Sequence, residues 1–88
     1  MKTFKDISWK QHEVFIGAIQ GMLVLDNGIE FSIIAGPRTS STPKAHGQLP
    51  SDFVSFEVAV FNEDCVMIEP ILTYLDRTEI DILINHHS

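Results

Sequence analysis

The dipeptide Asn27-Gly28 separates two runs of strand-forming residues, and no other feature limits what this chain can fold into as tightly. Upstream lies Ala18-Ile19-Gln20-Gly21-Met22-Leu23-Val24-Leu25, and downstream lies Glu30-Phe31-Ser32-Ile33-Ile34. Asn-Gly between such runs signals a hairpin with a type I′ turn, whose two central residues both take positive φ. With those residues at the tip, Asp26 is expected opposite Ile29, Val24 opposite Phe31 and Met22 opposite Ile33. Side chains alternate across a sheet, so Met22, Val24, Phe31 and Ile33 are expected to form the core face. The other face then carries Leu23, Leu25, Glu30, Ser32 and Ile34. Leu23, Leu25 and Ile34 leave it apolar, which predicts a homodimer or partner interface there.

The rest of the chain supplies further elements. Phe53 to Phe61 alternates as a strand, with Val54, Phe56, Val58 and Val60 on one face. Asn62-Glu63-Asp64 reads as a turn and Cys65 to Ile68 as a short strand, with Cys65 a small buried hydrophobe, until Pro70 ends it. Ile71, Leu72 and Leu75 have the spacing of a helical turn. Asp76 with Glu79 has the form of a capping box, and Ile80, Leu83 and Ile84 follow at helical spacing. Residues 1–13 read as an irregular arm or short strand in which Phe4, Ile7 and Trp9 pack on the sheet. Together these predict one α+β domain spanning residues 1–88, an antiparallel sheet of roughly four strands with a C-terminal helix.

Residues 36–51 differ in kind, with three prolines, two glycines and five hydroxyl residues. Such a composition supports neither helix nor strand, and loops of this length are usually functional or disordered. The loop holds no acid, although the chain as a whole has net charge −6. Arg38, Thr39, Ser40, Lys44 and His46 offer cations and hydroxyls of the kind that receive a phosphate, so they are candidate ligand-binding residues for a small anion. Acidic residues gather in the second half, and Glu63, Asp64 and Asp81 are candidate contacts for a basic patch on a partner protein.

Charge and composition also exclude. Twelve carboxylates against six Lys and Arg argue against duplex nucleic acid or an anionic membrane as partner. A single cysteine, Cys65, predicts a reducing compartment, and Met1 to Asp6 lacks the apolar run of a signal peptide. The four histidines, His12, His46, His86 and His87, have no spacing that suggests a metal site. Ser40, Ser41 and His46 share a loop too irregular to preorganise a triad, and phosphate-binding glycine motifs do not occur. A non-enzymatic protein without cofactor or metal is therefore expected.

Several short segments, in order along the chain, resemble a group of small proteins encoded by bacteriophages and prophages. They are Met1 to Ile7, Trp9-Lys10-Gln11-His12, Gly17 to Gln20, Asp26-Asn27-Gly28, Ser32-Ile33-Ile34, Gly36-Pro37, Phe56 to Phe61, Pro70-Ile71 and Tyr74-Leu75. In that group the loop between the second and third strands is shorter and richer in glycine and tyrosine, whereas here it carries Pro43, Lys44 and His46. The resemblance implies the cytoplasm of an infected or lysogenic bacterium as the setting and carries over no catalytic residues. Two functions are expected on this basis: an accessory protein that binds and modulates a host protein, or a binder of a phosphate-bearing metabolite or nucleotide through residues 36–51.

Overall fold

The computed structural model describes residues 2–88. Among these residues five strands, β1 (Ser8–Gln11), β2 (Ile19–Val24), β3 (Glu30–Ala35), β4 (Phe56–Phe61) and β5 (Leu72–Leu75), precede one α-helix, α1 (Arg77–His87), and short 3-10 turns form at Phe4–Asp6 and Pro50–Asp52. The strands form a single antiparallel sheet in chain order, β1-β2-β3-β4-β5. The arrangement is α+β, with α1 laid over one face.

The β2–β3 hairpin forms where Asn27-Gly28 placed it, but with a different turn. Gly28 alone adopts positive φ, at 89°. Its N–H donates to the Leu25 carbonyl at 3.0 Å, and the Leu25 N–H donates to the Ile29 carbonyl at 2.8 Å. This is a three-residue loop, in which a single left-handed glycine follows the bend. The change shifts the register by one residue, so Leu23 pairs with Phe31 and Met22 with Ser32. A one-residue slip moves every side chain to the opposite face. The core expectation for Met22 and Val24 is thereby overturned: Leu23 and Leu25 are buried, and Val24 is 48% exposed.

The core contains Ile19, Leu23, Phe31, Ile33, Phe56, Val58 and Val60, covered by Ile80 and Ile84 of α1. Phe56 is fully buried, with its ring 5.4 Å from Phe4, 5.6 Å from Trp9 and 6.3 Å from Phe53. Burying a side chain of this size contributes about 1.5–3 kcal/mol. Trp9 lies across β2 because position 21 has no side chain. A Cβ on Gly21 would come within 2.5 Å of Ile7 Cγ2 and 2.9 Å of Trp9 Cε3. Of the two readings of residues 1–13, irregular arm or short strand, the strand holds for Ser8–Gln11, which form an edge of the sheet. Val54, expected to share a face with Phe56, Val58 and Val60, is 69% exposed because β4 begins only at Phe56.

The far edge also departs from expectation. Cys65 to Ile68 is not a strand. The Asn62 Oδ1 accepts from the N–H groups of Asp64 (2.9 Å) and Val66 (3.0 Å), and Cys65 is exposed with φ 62°. Met67 makes one bridge to Phe61, and the Ile68 N–H donates to the Val60 carbonyl at 3.0 Å. Pro70 then breaks the ladder for want of an N–H, and pairing resumes as β5. The expected helical turn at Ile71 to Leu75 is therefore a strand with a bulge. Val58 pairs with Leu72 and Phe56 with Leu75, so between these pairs one residue of β4, Glu57, opposes two of β5, Thr73 and Tyr74. The extra residue, Tyr74 at φ 58°, lets Leu72 and Leu75 face the same side despite being three apart. A bulged strand has imitated helical spacing.

The start of α1 follows its sequence. The Asp76 carboxylate accepts from the Glu79 N–H at 2.8 Å, and the Glu79 carboxylate accepts from the Asp76 N–H at 3.1 Å. This reciprocal pair satisfies two of the donors that every helix start leaves open.

Candidate interaction surface

The face of the sheet opposite α1 is framed by loops but not covered by a second layer. By register it carries Gln20, Met22 and Val24 from β2, Glu30, Ser32 and Ile34 from β3, and Glu57, Ala59 and Phe61 from β4. Five of these nine are apolar, and all but the exposed Val24 are half-buried. Of the three apolar residues expected to form an interface, only Ile34 lies here. Leu23 and Leu25 are corrected to the core, because the register slip exchanged them with Met22 and Val24.

One end of this face is acidic. The β2–β3 turn and the turn after β4 are built alike: in the second, the Asn62 N–H donates to Val66 O and the Cys65 N–H to Asn62 O. Each has one left-handed residue, Gly28 or Cys65, at the same position. The two turns touch, since a Cβ on Gly28 would lie 2.9 Å from Glu63 Cβ. Gly28, Glu30, Phe61 and Glu63 line a hollow of about 190 Å³ between them. Glu30 and Glu63 thus meet at this hollow beside Phe61, with Asp64 next to Glu63 in the turn, while the Lys2 ammonium donates to the Val24 carbonyl at 2.6 Å. Asp81 belongs elsewhere. Its carboxylate accepts from the Phe4 N–H at 2.7 Å and ties the N-terminal arm to α1.

The loop of residues 36–51 is held by hydrogen bonds within itself and to its neighbours in β4 and β5. Thr39 and Ser41 are buried. The Thr39 hydroxyl donates to the Gly36 carbonyl at 2.8 Å and lies 2.6 Å from the Ser41 hydroxyl, which accepts from the Gly36 N–H at 2.9 Å. The Ser40 N–H donates to Glu57 Oε1 at 3.0 Å, and the Ser40 carbonyl accepts from the Tyr74 N–H at 3.1 Å. Lys44 sits over the Tyr74 ring, 5.7 Å from its centroid. His46 packs on Gly17, and Arg38 is exposed with φ 67°. Farther along, the Gln48 and Leu49 N–H groups donate to Asp52 Oδ2 at 2.9 and 3.0 Å. These two bonds hold the Asp52 carboxyl below its ordinary range. Two protein carboxylates, Glu57 and Asp52, therefore occupy loop N–H groups of the kind a phosphate would need.

The same loop closes against the β1–β2 connection, where the Gly47 N–H donates to the Gly17 carbonyl at 2.9 Å. Gln11, Ile16, His46 and Leu49 line the open cleft that results. His12 is occupied locally: its Nδ1 accepts from the Val14 and Phe15 N–H groups, each at 3.1 Å, and its ring stacks on Phe15.

Sequence reasoning assigned Met22 and Val24 to the core rather than to this face, and gave Phe61 no role here. Their alternation with Leu23 and Val60 was visible, but the turn type decides which set faces outward. Among the described residues, no helix is long and apolar enough to cross a membrane. No family model matches this chain, and no curated protein or solved structure matches it either. The fold and its surfaces alone therefore define a small α+β chain with one covered and one open sheet face.

Proposed function

We propose that the chain is a non-enzymatic accessory protein, of the phage-encoded type its sequence resembles, that binds and modulates a host protein in the bacterial cytoplasm. The observation that carries this reading is the open face of β2, β3 and β4, where Met22, Val24, Ile34, Ala59 and Phe61 run into the acidic end at Glu30, Glu63 and Asp64. An apolar strip gives area to bury, and carboxylates beside it select a basic partner surface. Capture of a phosphate-bearing metabolite by residues 36–51 draws less support. An incoming phosphate would meet the Glu57 and Asp52 carboxylates at their N–H groups.

Native mass spectrometry on protein purified gently from a bacterial host tests the proposal. A stoichiometric host polypeptide is expected with the wild type, and its loss is expected in Val24→Asp and in the double variant Glu30→Lys with Glu63→Lys. Retention of that polypeptide by both variants would remove the open face as the binding surface. A nucleotide that raises the melting temperature of the wild type, but not of Arg38→Ala with Lys44→Ala, would instead favour the ligand reading.

A further inference from the structure

On the covered side of the sheet, α1 presents three different sides. Ile80 and Ile84 enter the core. Asp81 and Arg77 face the N-terminal arm: Asp81 accepts from Phe4, and the Arg77 guanidinium lies 5.1 Å from the Phe4 ring centroid. The third side, Glu79, Ile82, Leu83 and His86, has spacing i, i+3, i+4 and i+7 and borders a groove shared with Leu72 and Leu75 of β5. The groove is predominantly apolar, shallow and open to solvent, with a volume of about 400 Å³. Ile82 stands on its helix side at 64% exposure.

We infer that this groove is a self-association surface whose occupant is a second copy of α1. The order of residues along the helix supplies the reason. Glu79 and His86 flank the pair Ile82-Leu83 symmetrically, and the midpoint of each pair is the same point on the helix. A two-fold axis through that point sets α1 antiparallel to its copy. Glu79 of each protomer then meets His86 of the other, and each Ile82 projects toward the partner's Leu72–Leu75 recess. A two-fold contact must be self-complementary, acid against base and knob against hole, and this stripe satisfies both conditions. An imidazole N–H donates to a carboxylate whether or not the ring carries a charge, so the cross-pair does not depend on protonation. The open sheet face lies on the other side of the molecule and is left free in both protomers. This inference therefore stands or falls separately from the proposed host partner.

Sedimentation equilibrium on the purified chain, over a range of protein concentrations, tests it. The wild type is expected to dimerise. Ile82→Asp is expected to remain monomeric with unchanged circular dichroism, because the side chain is exposed in the single chain. His86→Glu, which sets two carboxylates together twice, is expected to weaken dimerisation at least about tenfold, the equivalent of 1.4 kcal/mol. His86→Lys, which restores a cation, is expected to dimerise as tightly as the wild type. A wild type that stays monomeric throughout overturns the inference. So does a dimer that survives Ile82→Asp, or one indifferent to His86→Glu.

Discussion

The main-chain N–H of Phe4 donates to the carboxylate of Asp81 at 2.7 Å, joining residues 77 positions apart in the chain. Through this bond the arm that carries Phe4 and Trp9 is held against α1 while both rings pack on Phe56. Asp81 is exposed, so its contribution is discounted for solvent screening. Asp81→Ala is expected to lower stability by about 1 kcal/mol, and Asp81→Asn, which keeps an acceptor, by less. Urea denaturation followed through Trp9 fluorescence measures both. An unchanged midpoint in Asp81→Ala would show that ring packing alone holds the arm.

Gly17 joins a backbone requirement to a packing one. Its φ is 84°, and a Cβ there would lie 2.6 Å from the His46 ring. Gly17→Ala is expected to cost about 1–3 kcal/mol. Adding His46→Ala removes the collision but not the left-handed strain, so the double variant should recover only part of the loss. Full recovery in a double-mutant cycle would mean that strain at φ 84° contributes nothing.

Asp52 gives the loop a dependence on pH. The Gln48 and Leu49 N–H groups, then, hold its carboxyl below the value it has in the unfolded chain. Its stabilising contribution is present above the ordinary aspartate range, around pH 4, and is lost as pH falls through the lower folded value. Asp52→Asn is expected to flatten the acid limb of the stability curve, as read from melting temperatures between about pH 6 and pH 3. An acid limb identical to that of the wild type would deny Asp52 this role.

Phe56 and Val54 are two residues apart and alternate on the same side in the sequence, yet one is fully buried and the other 69% exposed. Phe56→Ala is expected to cost about 3–5 kcal/mol, since it empties the centre of a cluster of four aromatic rings. Val54→Ala is expected to change stability by about 0.5 kcal/mol or less. Guanidinium titrations of the two variants compare them directly, and equal losses would contradict the position at which β4 begins.

Much of the architecture can be read along the chain, and the places where reading fails share a cause. Asp76 and Glu79 announce the start of α1 because a capping box involves only neighbours in sequence. Asn27-Gly28 marks where the chain reverses for the same reason. Neither signal states how many residues of the turn take positive φ, and that number assigned Leu23 and Leu25 to the core in place of Met22 and Val24. Leu72 and Leu75 have helical spacing, but a bulge at Tyr74 produces the same spacing in a strand, and only pairing with Phe56 and Val58 separates the two.

By itself, then, the sequence determined what depends on local chemistry: the hairpin, the capped helix, the irregular loop and the α+β class. Tertiary structure decided the register of β2 against β3, the edge strands β1 and β5, and the use of the hydroxyls of Thr39 and Ser41 inside their own loop. It also brought the Glu79–His86 stripe beside Leu72 and Leu75. The physical reason is that local preferences differ by fractions of a kcal/mol, whereas burying one face of a sheet rather than the other is settled by many apolar side chains at once.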